Sequence, residues 1–388
     1  MKSSSSRSPE VRRITESDRH CFFGYYDVQA WSPDKKQRLC HRVKFRDRLP
    51  MQNDVAEIGV IDLESLKYEK LADTTAWNFQ QGAMLQYLPG SEGREIVFNV
   101  RKDGAYRGCI MDMHGGHRKI LERPIANVSP DGKFGLSINF DRMFAFRPGY
   151  GYAGGPDARL AEDHPDDDGV FLIDMESGKA RLIMSLDQIH GFSKDWLLPG
   201  HHKLVVNHLG FNTDGTRFVV LTRYFPPPGT FSQTMLTTAA GDGSDAYHLT
   251  EDYRYASHYN WKNPSQLLIH AGGATGNQLY LLTDKSHKAD VIDAGVFTSD
   301  GHCSYSPDRK WIMYDSYPDK ERREHLFIYH VERREKIELG RFLSTHTGST
   351  DIRCDLHPRW SPDGKSVSFD STHEGFRGIY SIDLEGVV

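Results

Sequence analysis

The sequence predicts an all-β fold, a seven-bladed β-propeller whose ring is closed by an N-terminal strand in the last blade. Three observations predict it. One kind of turn signal recurs seven times, a second hairpin signal alternates with it seven times, and the last unit lacks a strand that the first residues can supply.

The first signal reads WSPDKK (31–36), YLPGSEG (87–93), VSPDGK (128–133), FNTDGT (211–216), WKNPSQ (261–266), YSPDRK (305–310) and WSPDGK (360–365). Each precedes a short β-rich run such as IVFNV, FVVLTR, WIMYDS or SVSFDS. Proline, aspartate and glycine at those positions make a tight hairpin between two strands. The second signal is an apolar run, a polar turn and another apolar run, as in IGVIDLESLKYEKL, VFLIDMESGKARLI and HLFIYHVERREKIEL. Two hairpins per unit give four strands, and a period of roughly 40 to 60 residues is that of propeller blades. The last unit stops at IYSIDLEGVV, whereas VRRIT precedes the first blade and predicts the missing outer strand. Closure of that kind removes an exposed sheet edge. No linker is needed, so residues 1–388 are expected to form one domain, with 1–10 disordered.

The chain has 388 residues with 48 basic and 53 acidic side chains, a net charge of -5, which recommends no nucleic-acid partner. No stretch approaches the roughly eighteen apolar residues of a membrane span. The opening MKSSSSRSPEVRR lacks an apolar core. The expectation is a soluble chain, cytoplasmic as written and secreted or periplasmic if a leader has been removed, acting as a monomer or homodimer. Five widely spaced cysteines (Cys21, Cys40, Cys109, Cys303, Cys354) predict reduced thiols, with one or two available to a metal.

Antiparallel strands put the starts of the innermost strands and the ends of the second strands on the face away from the SPDG turns. On that face lie Gln81, His208, His258, His302 and His357 at inner-strand starts, and Arg101, Arg142, Arg223, Tyr317 and His373 after second strands. Histidine has no special fitness for a strand start, so four at one repeat position predict a shared site. His258, His302 and His357 are the natural metal set. Cys354 joins them if the segment before His357 curves back, with Asp355 as the alternative oxygen ligand. His208 and Arg223 would place a base beside a fixed cation. The long blade-three insertion, FDRMFAFRPGYGYAGGPDARLAEDHPDDDG, offers Arg142, Arg147, Tyr150 and Tyr152. Guanidinium groups suit a carboxylate and aromatic rings a pyranose face, so an acidic oligosaccharide is the expected partner.

The pieces HCFFGYYD, WNFQQG, FRPGYGY, NHLGFNTDGTRF, SHYNW, DGHCSYSPD and CDLHPRWSPDGKSVSFDSTHEG resemble, in order, the β-propeller polysaccharide lyases, which include oligogalacturonate lyases and ulvan lyases. The resemblance implies β-elimination at a uronic-acid linkage, leaving an unsaturated sugar. It implies His208 as leading base or acid, Arg223 as carboxylate neutraliser and Tyr150 as a third catalytic member. In oligogalacturonate lyases three histidines and a glutamine hold manganese. Here Cys354 stands where that glutamine would be and Arg359 where the second nearby histidine would be. A thiolate favours zinc over manganese, so the resemblance leaves both metals open, with zinc ahead. The metal set is then His258, His302, Cys354 and His357. Competing readings are a non-catalytic propeller that binds a partner on the same face and a metal-assisted hydrolase.

Overall fold

The computed structural model describes residues 9–114, 118–193, 195–226, 233–273, 276–345 and 348–388. Residues 1–8 of the segment expected to be disordered lie outside the described residues, as does most of the PPPG loop. The described strands form seven four-stranded antiparallel sheets arranged as a propeller. Blade one runs from His20–Phe22 through Gln37–Val43 and Ala56–Asp62 to Tyr68–Thr74. Blade seven contains Arg359–Trp360, Ser366–Ser371 and Gly378–Asp383, and Val11–Arg13 completes it by pairing antiparallel with Gly378–Asp383.

The SPDG signal works through side-chain chemistry. In four blades the serine hydroxyl donates to the turn aspartate, as Ser361 Oγ does to Asp363 Oδ1 at 2.7 Å. The same serine oxygen accepts the N–H that opens the second strand, Ser366 N at 3.0 Å in blade seven. The aspartate accepts the N–H two residues on, Lys365 at 3.2 Å. The residue after the aspartate is left-handed, with φ 71° at Gly364 and 64° at Arg309, hence the preference for glycine.

The blade-three insertion departs from a plain loop. It opens with the helix α1 (Phe140–Phe146), capped by Asn139, whose side chain accepts the Arg142 N–H at 3.0 Å. A second helix, α2 (Leu186–Ser193), leads from blade three toward blade four. Among the described residues no helix is long and apolar enough to cross a membrane.

Buried polar groups lock the ring. His41 Nε2 accepts the Ala83 N–H at 3.0 Å, and Gly82 lies so close to that imidazole that a Cβ would fall 2.3 Å from it. Burial pushes His41 down to about 4 from 6.5. Between those values the unfolded chain binds a proton that the folded chain refuses, so stability falls as pH falls through that window. The thermal midpoint is expected to drop between pH 6.5 and 4. His41 contributes on the order of 3 kcal/mol to that loss. In calorimetry His41→Gln, which cannot titrate there, should show a shallower pH dependence.

Candidate functional site

Four inner-strand histidines surround a pair of tyrosines on the propeller axis. Tyr25 packs edge-on against His208, His357 and His302 with ring centroids 4.7, 5.0 and 6.2 Å away. Tyr26 lies 5.1 Å from His302 and 5.8 Å from His258. Its hydroxyl donates to the Tyr259 carbonyl at 2.8 Å and accepts the Tyr259 N–H at 3.0 Å, which fixes the plug. HCFFGYYD thus supplies aromatic filling that a search for reactive residue types passes over.

His302, His357 and Asp355 form a compact buried group whose ligand atoms all lie within 4.8 Å of one another. Asp315, at the end of the second strand of blade six, accepts the His302 backbone N–H at 2.7 Å and holds Nδ1 at 2.9 Å from each oxygen. A carboxylate on Nδ1 leaves the lone pair on Nε2. Nε2 of His302 and Nε2 of His357 are both buried without a hydrogen-bond partner among the described residues. Two orphaned imidazole nitrogens beside a carboxylate are costly unless a cation joins them, and this donor set suits zinc or manganese. His357 has φ 41°, so its backbone is strained where the imidazole is presented. Burial and the neighbouring His302 push His357 well below its ordinary range. Burial opposes ionisation of Asp355, but Arg353 and His302 outweigh it and hold that carboxyl below its usual value.

Cys354 does not belong to this group. Its sulfur is buried near the Asp355 carbonyl at 4.0 Å and lines a separate small cavity with Arg46, Thr345 and Arg377. Burial pushes the thiol up, against thiolate formation. Asp355, not Cys354, lies with the two histidines, and the thiolate argument for zinc lapses. Arg359 is not a ligand either: it pairs with Asp370 at 3.3 Å and donates to the carbonyls of Tyr25 and Gly24.

A cavity of 490 Å³ opens beside the group, lined among others by Arg147, Tyr150, Arg223, His258, Asp300, Tyr317, Arg353 and Asp355. Its residues come from inner-strand starts, second-strand ends and the insertion, which is the end away from the SPDG turns. His258 is backed by Asp300, whose Oδ1 lies 3.0 Å from Nδ1. Asp300 also accepts from Tyr255 at 2.7 Å and Ser257 at 2.8 Å. Nε2 is therefore the basic nitrogen of His258, and burial pushes the imidazole down to about 4 although Asp300 acts the other way. His258 stands beside His302, with centroids 4.1 Å apart, but outside the compact ligand group.

Four arginines line the cavity, Arg147, Arg223, Arg322 and Arg353, and three of them are held by contacts that aim them at it. Arg223 Nε donates to Asn207 Oδ1 at 3.0 Å, and the same oxygen accepts from Arg147, so one amide aligns both guanidinium groups. Burial and the nearby Arg147 bring Arg223 down to about 10, still a cation at neutral pH. Arg353 donates through Nε to both Asp355 oxygens at 2.8 Å and through a terminal nitrogen to the Tyr150 hydroxyl at 3.1 Å. Tyr150 also lies under the Arg147 guanidinium, 4.0 Å from its ring centre.

Other sequence-predicted residues stand elsewhere. His208 does not line the cavity: its Nε2 is 2.6 Å from Asp27 Oδ2 and its ring stacks on Tyr259 at 4.5 Å. Arg142, expected at substrate, is 2 % exposed and holds the insertion together. It donates to Asp157 at 3.1 Å and to the carbonyls of Leu204, Arg159, Glu162 and Asp163. Tyr152 is fully buried, stacked on Phe140 at 4.3 Å, with its hydroxyl accepting from Asn99 at 2.8 Å. Arg101 donates to the Gly154 carbonyl at 3.0 Å and ties the insertion to blade two. Gln81 is buried in the turn capped by Asn78, and His373 packs at the periphery against Tyr380 and Phe342. Sequence reasoning missed Arg353 and Asp300 as cavity residues, although each lies within four residues of a histidine it had singled out.

No protein-family model matches the chain, and no curated protein matches its sequence. Solved structures do share its fold. An oligogalacturonate lyase from Vibrio parahaemolyticus superposes with a TM-score of 0.68 at 14% identity, covering 98% of this chain and 95% of that one. An oligogalacturonate lyase in complex with manganese gives 0.70 at 13% identity, covering 98% and 94%. A puromycin-hydrolysing peptidase of Mycobacterium tuberculosis gives 0.55 at 11% identity, covering 97% of this chain and 54% of that one. The chain is therefore similar in fold, along nearly its whole length, to β-propellers of the oligogalacturonate lyase kind.

Proposed function

We propose that this protein is a lyase that cleaves uronate-containing oligosaccharides by β-elimination, with a divalent cation held by His302, His357 and Asp355. The observation that carries the reading is the cavity itself. A carboxylate-backed imidazole, His258, shares it with Arg147, Arg223 and Arg353, and a buried imidazole–carboxylate group adjoins it. A proton α to a carboxylate is too weakly acidic for an unaided base, so the developing negative charge must be met by fixed cations.

In this reading Arg223 and Arg147 bind the uronate carboxylate. His258 Nε2 takes the α proton, the freed electron pair forms a carbon–carbon double bond to the β carbon, and the bond from that carbon to the glycosidic oxygen breaks. The Tyr150 hydroxyl, beside two guanidinium groups, protonates the departing oxygen. His302, His357 and Asp355 would hold the divalent cation, which would supply further positive charge for the elimination. Manganese in the similar solved lyase supports a divalent ion, and a site of imidazole and carboxylate can hold either manganese or zinc. The reading differs from the sequence expectation in placing the base on His258 rather than His208.

The test incubates the metal-replete protein with a panel of oligo- and polyuronates, with and without chelator. The conjugated unsaturated product should appear in the ultraviolet and disappear with chelator. Saturated products with new reducing ends would mean hydrolysis instead, and no turnover of any uronate would overturn the reading.

A further inference from the structure

The seven-fold repeat allows one position to be compared in every blade. The residue that faces the inner-strand residue just before the first hairpin turn is Ile96, Gly135, Phe218, Leu267, Ile312 and Val367 in blades two to seven. All six are apolar or glycine. In blade one the pair is Trp31 and Arg38. Arg38 is 0 % exposed, so the propeller encloses a guanidinium where its other blades enclose hydrocarbon.

None of the three Arg38 nitrogens has a hydrogen-bond partner among the described residues. The indole Nε1 of Trp31 lacks one as well, whereas Trp360, at the same place in blade seven, donates to the Ser304 carbonyl at 3.4 Å. The Arg38 guanidinium carbon lies 5.9 Å from the Trp31 ring centre and 5.6 Å from that of Phe23. Both groups are buried donors without an acceptor among the described residues, and the guanidinium lies against the faces of the two rings. The nearest countercharge is engaged: Asp370 pairs with Arg359 at 3.3 Å and accepts the Phe23 N–H at 3.0 Å. Arg38 and Arg359 share Asp370 at the seam where blade one meets blade seven, and Asp27, which also acts on Arg359, is bonded to His208. Burial brings Arg38 down to about 9, so it is still protonated at neutral pH.

We propose that this seam binds a small monovalent anion, chloride or an ion of like size, against the unpartnered nitrogens of the Arg38 guanidinium. Water would leave the buried charge uncompensated. A monovalent anion accepts from the guanidinium and neutralises it. Aromatic rings flank the group and no solvent reaches it, which favours a monatomic ion over a sugar acid. The site is separate from the catalytic cavity, to whose lining Arg38 does not contribute. Its effect is on ring closure.

The experiment follows the thermal midpoint while chloride or bromide replaces gluconate at constant ionic strength. The wild-type midpoint should rise by several degrees and saturate. Arg38→Met should show no halide response and should melt in gluconate at or above the wild-type temperature. Crystals grown in bromide should give an anomalous peak within hydrogen-bond distance of Arg38. A wild-type midpoint indifferent to halide, with no bromide peak at the seam, would overturn the proposal. If Arg38→Met fails to fold, the bromide map of the wild type decides.

Discussion

His258→Ala is expected to lower the turnover of a uronate substrate by about 100- to 10,000-fold, the usual contribution of a positioned general base. The chain should fold normally, because the side chain lines a cavity rather than filling a core. The loss should fall on kcat more than on KM, since in the proposed mechanism Arg147 and Arg223 would still hold the substrate carboxylate. Asp300→Asn is the companion variant. Asp300 orients Nδ1 of His258 while accepting from Tyr255 and Ser257, so the amide should misplace the proton on the imidazole and reduce kcat as well. His208→Ala supplies the contrast. His208 is bonded to Asp27 at 2.6 Å away from the cavity, so its loss should lower the melting temperature before it lowers the chemistry. Steady-state kinetics beside calorimetry separates the outcomes, and a fully active His258→Ala protein would remove the base from the mechanism.

Replacing His357 with asparagine is expected to abolish stoichiometric divalent metal, measured by elemental analysis, and with it most of the activity. Asparagine tolerates the left-handed backbone at this position better than most side chains, so the variant isolates the imidazole. The wild-type melting temperature should rise with added metal, as expected when a ligand binds only the folded state, and His357→Asn should not respond. Metal-free His357→Asn should melt no lower than metal-free wild type, because it removes a buried imidazole nitrogen that has no hydrogen-bond partner among the described residues. Asp315→Asn acts one step back. It leaves the ligands in place but loses the carboxylate that fixes His302, at a cost of about 10- to 100-fold in metal affinity.

The propeller was legible because its turns are made by local chemistry. Serine, aspartate and a left-handed residue bond to each other within five positions, so SPDG announces its hairpin wherever it stands. The completing strand was legible for a different reason, since a blade three strands long demands a fourth. The site was less legible. Cys354 and Asp355 are neighbours, and strand alternation cannot decide which faces the histidines, because residues 353–358 are not in a strand and His357 is left-handed. Arg142 and Arg147 differ in role although both are arginines of one insertion. The turn of helix around Asn139 aims the first into a ring of carbonyls, while the second follows the helix and reaches the cavity. No pattern in FDRMFAFRPGYGY separates them. His208 and His258 hold the same repeat position, and the contacts of Tyr25 and Tyr26, from a blade far away in sequence, distinguish them.

The strand that completes blade seven also sets the order of events during synthesis. Val11 pairs with Ile382, so the ribosome makes one partner almost a whole chain before the other. Until Gly378–Asp383 emerges, blade seven has no partner for Val11–Arg13, and the nascent chain carries an open sheet edge. Loop-closure entropy grows only slowly with length, so the contact is affordable at equilibrium. Kinetically it is the most non-local pairing among the described strands, and such contacts slow folding. Ring closure therefore waits for Gly378–Asp383, and a nascent chain stalled before Gly378 would expose the edge on which it could pair with another copy.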